Sequence, residues 1–329
     1  MELICAERIA RLPQLGNLFY CALDLSIPII LQEPQTIHQL CENTSVIPEK
    51  LERVMLALES NGLFNYDQNS QLWSNNEATL PFADQDKSTT FMHFVCPMEY
   101  SLLSQTLNCL KVETSASHLA FNKPVHDALN DYPKYRDIYQ NTMAIFTRGS
   151  GPIIKQALDL SNTKKLLDVG GSNGTLITCL LKDQPGISGA VLDIPEVVES
   201  ARANIAEQNM QSRIGVIAGN ALEEIPSGFD SIIMKYIIHD WNDEDSLKIL
   251  RNCREALGEG GNLFIVEMPC DKSKLENRVS RNMNVRMMIY NNAMERTLEE
   301  YVRLLEKASF KLSKVVPAGE MQIIHSVGV

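Results

Sequence analysis

The stretch Leu166-Leu167-Asp168-Val169-Gly170-Gly171-Ser172-Asn173-Gly174 constrains this chain more than any other. An apolar run ends on an acid and opens into a glycine-rich turn, and helix-forming residues follow from Thr175 to about Lys182. Strand, glycine turn and helix in that order begin a nucleoside-binding α/β unit, because glycine lets backbone approach a ligand and lets the helix pack closely on the strand. A second apolar strand, Gly189 to Leu192, ends on Asp193. That acid lies about twenty residues past the turn, where such folds place the carboxylate that holds a ribose. A nicotinamide cofactor calls for G-x-G-x-x-G and a helix start facing a pyrophosphate. Here the glycines are 170, 171 and 174, position 172 is Ser, and Asp168 stands at the mouth of the turn. A carboxylate there repels a pyrophosphate and pairs with an ammonium, so a ligand with an ammonium and no phosphate fits better. An ordinary strand–turn–helix without a ligand is the remaining reading.

The rest of the chain divides around this unit. Its 329 residues suffice for two domains, and 44% hydrophobic with 22% charged residues can fill a core. The net charge of −11 argues against nucleic acid or an anionic membrane as the main partner. Eight cysteines occur without a C-x-x-C pair, as expected of free thiols in a reducing cytoplasm. Charges at Glu2, Glu7, Arg8 and Arg11 interrupt any signal peptide, and no apolar run approaches the ~20 residues of a membrane span.

Residues 1 to about 31 read as helix broken near Pro13 and Pro28, with Leu15–Leu25 apolar nearly all round and suited to a second subunit. Helices at Thr36–Glu42 and Pro48–Ser60, then a hairpin about Asp67-Gln68-Asn69-Ser70, make a winged helix. The helix that would enter a DNA groove carries Glu49, Lys50, Glu52, Arg53 and Glu59, the wrong sign for phosphate, so the module reads as structural. Residues 85–160 read as mostly helical, with Tyr135, Tyr139, Met143 and Phe146 at helical spacing, a core stripe or the wall of a flat aromatic ligand. From Lys164 strands and helices alternate, with a helix expected over Pro195–Gln208, as in a parallel sheet covered on both faces. Thr297 and Glu300 form a capping box, and Phe310–Val316 with Met321–Val327 read as a terminal antiparallel hairpin.

The chemistry concentrates in Met234-Lys235-Tyr236-Ile237-Ile238-His239-Asp240-Trp241-Asn242-Asp243-Glu244. It follows a strand, so His239 falls beyond the carboxyl edge, where open α/β sheets bind ligands. Glu267 closes the next strand, and Glu295 precedes the capped helix. Arg296 is expected to pair with a carboxylate. His38, His93, His118, His126 and His325 show no metal-ligand spacing and read as structural or surface residues.

These segments together with Asp193-Ile194-Pro195 and Glu295-Arg296-Thr297 resemble the small-molecule O-methyltransferases of the caffeate, flavonoid and acetylserotonin type, with bacterial phenazine and polyketide relatives. The resemblance spans nearly the whole chain. It implies a Rossmann-like α/β methyltransferase sheet with a terminal antiparallel hairpin over 161–329, a winged-helix-like dimerisation domain over 1–84, and a connecting region over 85–160 that lines the substrate pocket. It implies a homodimeric enzyme of secondary metabolism that needs no metal. Its methyl donor would be S-adenosyl-L-methionine, its product S-adenosyl-L-homocysteine, and its acceptor a hydroxyl of a small aromatic metabolite. By the same resemblance His239 is the general base, with Glu267 and Glu295 orienting it. The cofactor would meet Asp168, Gly170, Gly171, Asp193, Ile194, Asn220, Ala221 and, near the adenine end, Lys235. The substrate would meet Tyr139, Met143, Asn284, Met287 and Met288. Asn220 stands where the family has an acid for the adenine amino group, Ser172 where it has a third glycine, and Asn284 where many relatives have Asp. Two alternatives stay open: the same fold and cofactor with pericyclic, decarboxylation or hydroxylation chemistry, and a non-catalytic winged-helix metabolite sensor.

Overall fold

A computed structural model describes residues 6–270 and 278–329. Its chain forms two compact units, one of residues up to Ser101 together with Leu129–Thr142, the other of Leu102–Ala128 and Met143–Val329.

In the first unit a helix runs Ala6–Asp24 and passes through Pro13 without the expected break. The chain breaks instead at Ser26, whose φ is 57, and restarts as Ile27–Ile30 with Pro28 in its first turn. Helices Ile37–Thr44 and Pro48–Glu59 follow, the first closed by a Thr36–Gln39 capping box. Leu51, Met55 and Leu58 turn one face of the second helix inward. Gly62 at φ 82 ends that segment. The winged-helix pattern is completed by strands β1 (Asn65–Asp67) and β2 (Leu72–Ser74), paired antiparallel. Asp67 closes their turn by accepting from Asn69 N and Ser70 Oγ. Phe19 meets Phe82 and Phe91 edge-on in the core of this unit.

The second unit is built on seven strands: β3 (Lys165–Val169), β4 (Ser188–Asp193), β5 (Ile214–Ala218), β6 (Ser231–Lys235), β7 (Asn262–Glu267), β8 (Phe310–Ala318) and β9 (Met321–Gly328). Their order is β5-β4-β3-β6-β7-β9-β8. The first five are parallel, whereas β9 runs antiparallel to β7 and β8 to β9, the hairpin expected from the sequence. Leu166 and Ile233 pack into one apolar cluster and Leu167 and Ile232 into another, so the central strands are covered on both faces. The chain leaves β3 toward β4 and β5 and returns on its other side at β6. The carboxyl ends of β3 and β6 therefore flank the switch point where such sheets open a crevice. Helices Asp243–Leu257 and Leu298–Lys307 complete this region, the second with the Thr297–Glu300 capping box. The helix expected over Pro195–Gln208 is Val198–Glu207, and a helix over Arg278–Asn291 had no counterpart in the sequence reading.

Candidate active site

The turn after β3 is tight for a reason visible atom by atom. Gly170 has φ +67, and a Cβ built there would stand 2.2 Å from Ile237 Cδ1. At Gly171 a Cβ would meet the Asp168 carboxylate at 2.7 Å. Ser172 adopts φ 51, in the left-handed region that favours glycine. Gly170→Ala should combine a disfavoured φ with a clash, costing about 1–3 kcal/mol. Chemical denaturation and cofactor titration of that variant check this; wild-type values in both would show that the turn has slack.

Asp193 ties the turn to the neighbouring strand: its carboxylate accepts from Ser172 N and from Ile194 N, both at 2.8 Å. It does not cap the following helix, whose N-cap position is Val197. Burial raises its pKa, against the pull of those two N–H groups and of His126. Asn220 accepts from Leu222 N through Oδ1 at 3.0 Å, which commits one acceptor of its amide to the backbone.

Asp168 is 1% exposed, and its Oδ2 has no hydrogen-bond partner among the described residues. Burial, with Asp193 adding, pushes its pKa up to about 7 against the pull of Lys235. A buried carboxylate oxygen left unpaired at the crevice costs stability unless a donor arrives. An ammonium-bearing ligand supplies one, so the residues present fit S-adenosylmethionine and not a pyrophosphate. Lys235 Nζ lies 3.3 Å from Thr147 Oγ1 and 4.4 Å from the Tyr236 ring centre. Burial lowers its pKa to about 8, with Asp168 and Glu267 opposing.

Beyond β6 the chain turns sharply at Tyr236, a left-handed residue with φ 56, and enters a single 3-10 turn, Ile238–Asp240. The Tyr236 ring stacks on the His239 imidazole at 5.1 Å between centres and 15° between planes. Glu267 ends β7 beneath this turn, and its Oε1 accepts from Ile237, Ile238 and His239 N at 3.2, 3.0 and 3.3 Å. His239 Nδ1 lies 2.7 Å from Glu295 Oε1 and 3.6 Å from Glu267 Oε2. The carboxylate fixes the tautomer: Nδ1 carries the proton toward Glu295, and Nε2 lies 3.8 Å from Asp240 Oδ1. The ligand atoms of these three residues lie within 4.8 Å of one another, near enough to suggest a cation. Two ligands of one zinc stand about 3.3 Å apart at ordinary bond lengths, so the 2.7 Å contact leaves no room for an ion between Nδ1 and Oε1.

Burial alone would lower the His239 pKa, but Glu267, Asp240 and Glu295 reverse this and push it up to about 10. Burial raises Glu267 to about 7, with Glu295 and Asp240 adding and His239 opposing.

The sequence-derived site residues fall into three groups. Asp168, Gly170, Gly171, Asp193, Lys235, His239 and Glu267 all stand at carboxyl ends of adjacent strands. Asn284 Oδ1 accepts from Glu295 N, which joins the helix Arg278–Asn291 to the segment that carries Glu295. On that helix Met287 is buried and Met288 half-buried. Met143 is half-buried in the same unit, whereas Tyr139 belongs to the first unit, where its ring meets His93 edge-on. Sequence reasoning missed His126: it faces Asp240, with Nε2 3.7 Å from Oδ2. It also understated Arg296, which is fully buried and binds Ile238 O and Trp241 O as well as Asp243.

An acid-ended first strand, a glycine turn beside an unpaired buried carboxylate and a terminal antiparallel hairpin define the methyl-donor class of nucleoside folds, not the dinucleotide class. Residues 108–311 match the O-methyltransferase domain family, and the chain belongs to it. It is 27% identical over 312 residues to the phenazine O-methyltransferase PhzM of Lysobacter antibioticus, covering 93% of this chain and 91% of that one. It is 29% identical over 325 residues to chavicol O-methyltransferase of Ocimum basilicum, covering 91% and 87%. In fold it matches the mitomycin 7-O-methyltransferase MmcR with a TM-score of 0.92 at 22% identity, over 98% of this chain and 96% of that one. The O-methyltransferase NcsB1 of neocarzinostatin biosynthesis, solved with S-adenosylmethionine and a hydroxynaphthoic acid, matches with a TM-score of 0.88 at 20% identity, over 100% of both chains. These relatives are all named as O-methyltransferases, which disfavours both non-methylating chemistry and a non-catalytic sensor.

Proposed function

We propose that this O-methyltransferase moves the methyl group of S-adenosyl-L-methionine to a hydroxyl of a small aromatic metabolite and releases S-adenosyl-L-homocysteine. The observation that carries this reading is the buried His239–Glu295 hydrogen bond of 2.7 Å, which leaves Nε2 free to take a proton. When bound, the cofactor supplies a methyl electrophile on a sulfonium. Asp168, Gly170 and Gly171 receive its amino acid part. Asp193 and Ile194 take the ribose, Asn220 and Ala221 the adenine, and Lys235 completes the contacts. Met143, Met287 and Met288, with Asn284, wall the acceptor; methionine adapts to flat rings of varied shape.

Proton matching explains the carboxylates around His239. A phenol near pKa ~10 facing an imidazole near ~6.5 would leave a deficit of about 5 kcal/mol. With Glu267, Asp240 and Glu295 raising His239 to about 10, most of that deficit disappears. The acceptor hydroxyl donates to Nε2 while Nδ1–H stays on Glu295, and the site needs the oxygen in line with the methyl group and water excluded.

This matching fixes a pH dependence. The working base is the neutral imidazole, and a raised pKa makes that form scarce at neutral pH. The rate should therefore rise with pH well beyond 7, instead of levelling near the ~6.5 of a free histidine. Glu295→Gln removes one negative charge and should move the rising limb to lower pH. A pH–kcat/KM profile of both proteins checks this, and an unmoved limb would dissociate it from His239.

The purified chain is expected to bind S-adenosylmethionine and S-adenosylhomocysteine in a calorimetric titration and not NAD, and then to methylate members of a phenol panel. Failure to bind either sulfur compound would withdraw the reading in favour of a degenerate scaffold. The chain is further proposed to be a cytoplasmic homodimer joined through its N-terminal helices, without a nucleic-acid or membrane partner. In support, Ile9 and Leu12 are 54% and 44% exposed on the first helix, and no helix among the described residues is long and apolar enough to cross a membrane. Light scattering decides the stoichiometry.

A further inference from the structure

We infer that Asp240 and His126 form the route by which the proton taken up by His239 leaves the site, an inference that rests on His239 being the base. The Asp240 carboxylate stands between two imidazoles. Its Oδ1 is 3.8 Å from His239 Nε2, and its Oδ2 is 3.7 Å from His126 Nε2. Each oxygen thus serves one ring, and in both cases the nitrogen that faces it is Nε2. Exposure climbs along the series: the side chains are 7%, 19% and 39% exposed at His239, Asp240 and His126. The series therefore leads from a buried base to solvent.

The geometry also separates the relay from the chemical step. Nδ1 of His239 is committed to Glu295, so its second proton can sit only on Nε2. Asp240 Oδ1 is also held by Asn291 Nδ2 at 3.0 Å, and the acceptor hydroxyl would stand on Nε2 during transfer. After product departs, Nε2–H is left facing Oδ1. Both gaps exceed a direct hydrogen bond, and a small carboxylate rotation or one bridging water closes each.

The proton balance is simple. Nε2–H of His239 breaks as an O–H bond forms on Asp240, and neutral His239 is restored. Asp240 carries the proton only in passing, because against burial His239, His126 and Asn291 hold its carboxyl below the ordinary value. Rotation of the carboxyl group presents that proton to His126 Nε2, and His126 passes one proton to water or a buffer base. The proton arrives on His126 Nε2 and one leaves from Nδ1, and a flip of the ring resets the tautomer, so that net one proton goes to solvent per turnover. Among the described residues, the acids that act most on His239 are Glu267, Asp240 and Glu295, and those that act on His126 are Asp240, Asp193 and Asp127. Burial would lower the His126 pKa, but those three acids raise it, which favours its accepting the proton. The surroundings of His239 hold its proton tightly, so discharge needs a dedicated path more than it would in an ordinary histidine.

The test is the multiple-turnover rate of His126→Gln and Asp240→Asn at low and high concentrations of a small buffer base such as imidazole. In dilute buffer, His126→Gln should fall on the order of tenfold, with an enlarged solvent deuterium isotope effect, and added imidazole should restore it. The wild type should be indifferent to buffer. An undiminished rate in His126→Gln, or a loss that imidazole leaves unchanged, overturns the relay; the second outcome marks a structural role. His239→Gln in the same assay tests the base separately. If it retains activity the underlying reading fails, whereas a crippled His239→Gln beside an intact His126→Gln sinks the relay alone. His126 is 39% exposed on its side chain, so a circular dichroism melt is expected to show both rates measured on folded protein.

Discussion

His239→Gln is expected to slow methyl transfer by about 10²–10⁴-fold, the usual contribution of a positioned general base, while S-adenosylhomocysteine binds nearly as tightly as to the wild type. The two effects separate because the residues differ. The residues proposed to hold the cofactor sit at the ends of β3, β4 and β5 and at Lys235, whereas His239 lies past the end of β6 with its Nδ1 on Glu295. Glutamine keeps a donor for Glu295 but offers no nitrogen basic enough to take a phenolic proton. Substitution also removes the imidazole that faces two buried carboxylates. Glu267, already raised to about 7, can answer by keeping its proton. The measurement is a pair: initial rates with a phenolic acceptor, and calorimetric titration of S-adenosylhomocysteine. Equal rates in variant and wild type would remove His239 from the mechanism. A parallel loss of binding and rate would make it a structural residue of the cofactor site.

How much of this was legible in the sequence depended on whether a signal was local. The strand–turn–helix at Leu166–Gly174 was, because strand, acid and glycines follow one another without interruption. The Thr297–Glu300 box and the terminal hairpin were local in the same sense. Pro13 misled: Ala6–Asp24 carries it inside, and Tyr100 donates to its carbonyl from a helix far along the chain. The helix after Asp193 begins late because that carboxylate is spent on Ser172 N and Ile194 N. Arg278–Asn291 escaped notice since Asn282, Asn284 and Asn291 are weak helix formers and its apolar residues follow no clean stripe. His126 carried no signal at all. It meets Asp240 only through the fold, and no spacing rule connects residues so distant in the chain.

Arg296→Met should destabilise the protein by about 2–5 kcal/mol, and the reason is the turn that carries the base. Glu267 holds that turn by its N–H groups, one oxygen accepting from Ile237, Ile238 and His239. Arg296 holds the opposite polarity, donating to Ile238 O at 2.9 Å and to Trp241 O at 2.8 Å. The guanidinium is fully buried, so methionine would fill much of its volume but remove the shortest donor to each carbonyl, leaving Ser246 Oγ at 3.3 Å from Ile238 O and 3.2 Å from Trp241 O. A hydrogen bond from a charged donor contributes about 1.5–3 kcal/mol. The ion pair with Asp243 contributes far less, because that carboxylate is 70% exposed and screened by solvent. Asp243→Asn should therefore lose no more than about 1 kcal/mol. Urea unfolding of the two variants separates the contributions. Equal losses would transfer the clamp from the carbonyls to the ion pair, and an unaffected Arg296→Met would mean that Glu267 and the Ser246 hydroxyl suffice to fix the turn. In the expected case Arg296→Met also lowers kcat more than it weakens cofactor binding, since it loosens His239 and leaves the β3 turn untouched.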